Sequence, residues 1–74
     1  MDENTIQIFI KCNEKTFVLQ IEPNATILEV KWRVHDREGI DVDRFKLMYA
    51  GKFMQNEKTL KDYNISADCT LRVW

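Results

Sequence analysis

One segment, ATILEVKWRVHDREG from Ala25 to Gly39, carries both the start and the stop signals of a single helix. Thr26 and Glu29 have the spacing of a capping box, in which the hydroxyl accepts from the third helical amide and the carboxylate reaches back to the cap amide. Ile27, Val30 and Val34 fall at i, i+3 and i+7 and form one apolar stripe, and Gly39 supplies the left-handed residue that ends many helices. A helix with one such stripe packs on one side only. Its cover must come from the remaining chain, which is written in the alternation of strands.

IQIFIK, from Ile6 to Lys11, places Ile6, Ile8 and Ile10 on one face, and TFVLQI, from Thr16 to Ile21, does the same with Phe17, Leu19 and Ile21. CNEK between them has hairpin length but lacks the glycine such turns often use. After the loop IDVD, RFKLMYAGKFMQ reads as two short strands around Ala50, Gly51 and Lys52, with Phe45, Leu47 and Met54 inward. TLKDYNIS is a turn-rich connection anchored by Leu60, Tyr63 and Ile65, and a final strand alternates Leu71 and Val73. The order β, β, α, β, β, short helix or turn, β predicts an α+β domain of two layers, a mixed sheet whose inner face is covered by the helix. The 74 residues leave room for one domain, with a short polar arm over residues 1–5 and the folded unit over residues 6–74. No repeat, linker or low-complexity segment interrupts it.

Composition narrows the function classes. Eleven basic against 12 acidic residues, with the signs scattered, predict no general affinity for nucleic acid or membrane. There is no apolar run of the roughly 18 residues that a membrane span needs and no leader pattern at the N-terminus, so a soluble, unsecreted protein is expected. Cys12 and Cys69 are too few for a disulfide framework, and His35 has no second histidine with which to complete a zinc set. Both cysteines read as small, semi-buried thiols in a reducing compartment. Nothing pairs a nucleophile with a base in a recognisable spacing, and Gly39 and Gly51 alone make no phosphate cradle. Neither an enzyme, a metal nor a cofactor is expected.

IQIFIK, IEPNATILEVK, DREGI, LMYAGK and TLKDYNI through TL, in this order, resemble ubiquitin from Ile6 to Trp74. The resemblance implies the β-grasp fold, one helix across a five-stranded mixed sheet. It also implies that the first and last strands lie side by side in parallel, with Cys12 and Cys69 on neighbouring strands but offset, so no disulfide is expected. Ubiquitin-like modifiers are attached through a flexible basic tail ending in two glycines. Here LRVW stands where that tail would follow, and MDENT precedes the first strand. The expectation is a non-conjugating interaction domain, the N-terminal part of a larger protein, docking on ubiquitin receptors or the proteasome as a monomer in the cytoplasm or nucleus. The alternatives are a modifier or a fusion precursor, for example to a ribosomal protein, whose tail lies outside this chain.

The resemblance also places a binding patch on the sheet. Its isoleucine position is Met48, its valine position Trp74, its histidine position Arg72, and its loop leucine is missing or replaced by Asn13. Lys11, Lys46, Lys52 and Arg72 would surround it with positive charge suited to the acidic flank of a helical ubiquitin-binding motif, with Gly51 in the adjoining turn and Phe9 as a minor contact. Met and Trp suit adaptable or hot-spot contacts. The alternative is that Met48 and Trp74 only cover each other at the sheet edge. A second candidate surface, suited to another part of a parent protein, is Leu28 with Trp32, four residues apart and pointing away from the apolar stripe; alternatively Trp32 folds against the loop near Val42 or Phe53. Lys11, Lys15, Lys31 and Lys52 occupy chain-linking positions by resemblance, Ala67 stands at another, and these lysines read most simply as solvated charges.

Overall fold

The computed structural model describes residues 4–74. Its elements are β1 (Ile6–Cys12), β2 (Lys15–Ile21), α1 (Ile27–Glu38), a turn of 3-10 helix (Val42–Arg44), β3 (Leu47–Tyr49), β4 (Lys52–Phe53), a second 3-10 turn (Lys61–Tyr63) and β5 (Thr70–Val73). The five strands form one sheet in the order β2-β1-β5-β3-β4. β1 and β5 run parallel and the other neighbours antiparallel, which is the β-grasp arrangement with the last strand at the centre. Of the arm at residues 1–5, Met1–Glu3 lie outside the described residues; Thr5 Oγ1 donates to Gln20 Oε1 at 3.4 Å.

Local chemistry accounts for the turns and the helix ends. Cys12 pairs with Lys15 across a two-residue loop in which Asn13 sits at φ 59, the left-handed conformation that asparagine tolerates where a glycine is absent. Tyr49 pairs with Lys52 around Ala50 and Gly51, at φ 54 and 79, and two left-handed central residues give the twist that tight hairpins require. The capping box closes: Glu29 N donates to Thr26 Oγ1 at 3.2 Å and Thr26 N to Glu29 Oε1 at 3.0 Å. At the other end Gly39, at φ 74, donates its N–H to the His35 carbonyl at 2.8 Å. The connection after β4 is tied to the helix start by Ile27 N to Lys58 O and Leu60 N to Ala25 O. Asp62 and Thr59 brace it further, Thr59 N donating to Asp62 Oδ2 at 2.9 Å and Asp62 N to Thr59 Oγ1 at 3.1 Å.

The core lies between the sheet and α1. Ile8, Ile10, Phe17, Leu19 and Ile21 on the first hairpin are buried, as are Ile27, Val30 and Val34 on the helix, with Phe45, Leu47, Met54, Leu60, Ile65 and Leu71 completing the cluster. Full burial of one such side chain contributes about 1.5–3 kcal/mol, so these positions hold the two layers together.

Lys31 departs from its reading as a solvated charge: it is only 6% exposed. The reason is its place on the helix. It stands four residues after Ile27, inside the i, i+3, i+4, i+7 stripe that faces the sheet, so its stem is drawn into the layer interface. Cys12 is buried in β1, Cys69 is half-buried just before β5, and both are free thiols.

Candidate functional site

Alternation along each strand decides which side chains face away from the helix. Because Ile10, Leu47 and Leu71 point inward, their neighbours Lys11, Met48 and Arg72 point outward. Register then aligns them. Thr16 pairs with Lys11, Lys11 with Arg72, Arg72 with Met48, and Met48 with Phe53, so one row of outward side chains crosses all five strands. Phe9 lies in the adjacent row beside Val18 and Thr70, half-buried.

Trp74 continues this face past the end of β5. Its N–H donates to the Lys46 carbonyl and its carbonyl accepts from Lys46 N–H, both at 2.8 Å, so its side chain emerges on the same side as that of Arg72. It is 62% exposed and meets Phe53 edge to face, ring centroids 6.4 Å apart. Lys46 Nζ lies 5.2 Å from the centre of the Phe53 ring. Such an aromatic pair contributes about 0.5–1.5 kcal/mol and an exposed cation–π contact about 0.5–1 kcal/mol, enough to favour one orientation of the indole without covering it. The partner of Trp74 is thus Phe53. Met48 remains a separate, half-buried contact one strand away.

Lys11, Met48, Ala50, Gly51, Thr70 and Arg72 line a groove of about 510 Å³, and Lys11, Asn13, Arg72, Val73 and Trp74 a smaller one of about 170 Å³. None of these lining residues is acidic, and Lys52 stands exposed at the start of β4 beside the same turn. Met48, Trp74, Arg72, Lys11 and Lys46 therefore share one face, with Gly51 at its turn, apolar in the middle and positively charged around it; Lys52 pairs with Tyr49, which packs against the core, so alternation does not place it on this face. Phe53 belongs with them. It was legible, because a two-residue Ala50-Gly51 loop places Phe53 opposite Met48, but the short β4 carries too little alternation to announce an outward ring.

Leu28 and Trp32 lie on the other side of the molecule's helix, 37% and 48% exposed. The Trp32 ring meets His35 edge-on at 5.4 Å, a partner three residues along its own helix rather than Phe53. His35 Nδ1 is in turn 2.9 Å from the Ile40 carbonyl.

The half-buried Tyr49 hydroxyl lies 3.2 Å from Cys69 Sγ. Donation from that hydroxyl stabilises the thiolate and holds the Cys69 thiol below its ordinary value of 9.0, while the same contact raises the Tyr49 phenol. Among the described residues no group of three His, Cys, Asp or Glu could hold a metal ion, and no helix is long and apolar enough to cross a membrane.

Fold and face together define a β-grasp domain whose sheet is covered by the helix on one side and open on the other. The sequence pattern of the ubiquitin family matches residues 8–74, and the chain belongs to that family. It is 34% identical over 59 residues to Ubiquitin-like protein 1 of Schizosaccharomyces pombe, which covers 80% of this chain and 76% of that protein. It is 28% identical over 61 residues to Ubiquitin domain-containing protein DSK2 of Saccharomyces cerevisiae, covering 82% of this chain but 16% of the relative. The fold matches the solution structure of a ubiquitin-like domain from Arabidopsis thaliana with a TM-score of 0.91 at 22% identity, over 96% of this chain and 77% of the other.

Proposed function

We propose that this ubiquitin-like domain acts by docking, through the Lys11–Arg72–Met48–Phe53 row and Trp74, on ubiquitin-binding or proteasomal receptor proteins of the cytoplasm or nucleus. The observation that carries the reading is the Trp74 indole, 62% exposed yet braced by Phe53 and by backbone pairing with Lys46. A braced aromatic loses little freedom on binding and buries a large area, which is the profile of a hot spot. The surrounding Lys11, Lys46 and Arg72 suit a partner helix with an apolar stripe and an acidic flank. DSK2, in which the matching stretch is 16% of the protein, supports the reading of a docking module within a longer chain.

The test is a titration of the isotope-labelled protein with proteasomal receptor subunits and ubiquitin-binding helices. Shifts are expected at the Met48, Lys52 and Arg72 amides, and Trp74→Ala should raise Kd by about 30-fold, the effect of a hot spot worth about 2 kcal/mol. Absence of shifts with every receptor would reject the reading. A second reading, covalent attachment as a modifier, is favoured by the match over 76% of Ubiquitin-like protein 1; ladders of higher mass on immunoblots of the natural protein would support it.

A further inference from the structure

The groove on the other side of Trp74 presents a different chemistry. Lys31, Arg44 and Lys46 line it with Asp43, and Phe53 and Trp74 form its apolar wall, around a volume of about 440 Å³. Three cationic side chains thus face one carboxylate. Lys31 is the unusual member: it is 6% exposed, yet the one ion pair among the described residues is Lys15–Glu38 on the protein surface. Its Nζ sits 5.8 Å from the centre of the Phe45 ring, and Asp43 is near enough to favour the charge electrostatically without reaching ion-pair distance. A cation on a packed stem, without an ion pair and opening on a groove with surplus positive charge, leaves Coulombic attraction that an incoming anion can satisfy.

We propose that this groove is a second docking site, which takes an acidic side chain of a partner peptide with the carboxylate directed to Lys31 and the neighbouring backbone laid across Phe53 and Trp74. One feature selects a peptide over a small anion and another over a polyanion. The aromatic wall is large and open, Phe53 at 51% and Trp74 at 62% exposure, and a free anion would leave it uncovered. The near-neutral chain, with 11 basic and 12 acidic residues, supplies no field to draw a polyanion, so the attraction is confined to the groove. The site shares Lys46, Phe53 and Trp74 with the sheet face but is centred on the helix side, and it stands whether or not the sheet face binds receptors.

The experiment titrates the labelled protein with the hexapeptide acetyl-Asp-Glu-Leu-Glu-Asp-Leu-amide, with its Asn/Gln counterpart and with inorganic phosphate at equal ionic strength. The acidic peptide is expected to shift the Lys31 side-chain and the Asp43 and Lys46 amide resonances, and the Asn/Gln peptide to leave them in place. Lys31→Met, which keeps an unbranched apolar stem, should raise Kd about tenfold, as should Arg44→Gln more weakly, while Met48→Ala, on the sheet face, should not change it. Equal shifts with the Asn/Gln peptide, equal shifts with phosphate, or an unchanged Kd in folded Lys31→Met would each overturn the proposal. Loss of receptor binding in Met48→Ala with the peptide response intact separates the two sites.

Discussion

Replacing Lys31 by methionine should stabilise the fold. The stem is drawn into the layer interface and the ammonium is partly desolvated where it opens on the groove; Asp43 and the Phe45 ring offset part of that loss, and Lys46 adds to it. Methionine retains most of the stem packing and removes the charge. Replacement of fully buried ionic groups by apolar ones of similar shape gains about 1–4 kcal/mol, and because the Lys31 ammonium still meets solvent in the groove the gain is smaller, about 0.5–1 kcal/mol. At about 2.1 cal/mol/K per residue the unfolding entropy of 74 residues is about 155 cal/mol/K, so each kcal/mol moves Tm by about 6 °C. A rise of about 3–6 °C at neutral pH is therefore expected in thermal melts followed by circular dichroism. The pH dependence supplies an independent check. Desolvation holds the Lys31 pKa below its ordinary 10.5, so between the folded value and 10.5 the unfolded chain binds more protons and stability rises with pH. The advantage of the methionine variant is full below the folded value and shrinks as pH climbs through it toward 10.5. A lower Tm in the variant, or an advantage that does not shrink at alkaline pH, would refute the claim that the charge is poorly compensated.

Two further outcomes are expected. Thr26→Ala removes the hydroxyl that accepts from Glu29 N at 3.2 Å and should cost about 1 kcal/mol in urea denaturation, with helix amides near Glu29 losing hydrogen-exchange protection. Tyr49→Phe removes the donor 3.2 Å from Cys69 Sγ, so the thiol pKa should rise and alkylation by iodoacetamide at pH 8 should slow, with Cys12, buried in β1, unaffected.

Most of the fold was legible because it rests on periodicity and on short-range signals. The capping box at Thr26 and Glu29, the glycine stop at Gly39 and the alternation through Ile6–Cys12 and Lys15–Ile21 all act within a few residues, and each is realised. What escaped depends on elements meeting. Lys31 has a charged side chain at an apolar position of the stripe, and type alone points outward; only the closeness of the sheet forces it in. Phe53 was readable in part: the two-residue turn sets it opposite Met48, but β4 is too short for alternation to announce an outward ring. The pairing of Tyr49 with Cys69 joins residues from β3 and the approach to β5, 20 apart, and no local pattern could mark it. The candidate face was placed mainly by resemblance; its aromatic bracing belongs to this chain's own geometry.

The central position of β5 has a kinetic consequence. The β1–β2 hairpin and the β3–β4 hairpin have no shared hydrogen bonds within the sheet; β5 lies between them and is the last strand in chain order. Joining it to β1 brings together groups such as Gln7 and Asp68, 61 residues apart, at a closure cost of about 2.4 kcal/mol beyond that of a four-residue turn. On a growing polypeptide the residues of both hairpins and of the helix are synthesised before the strand that unites them in the sheet. The five-stranded sheet can close only after translation of Thr70–Val73, and only then can Lys11, Arg72 and Met48 come into line.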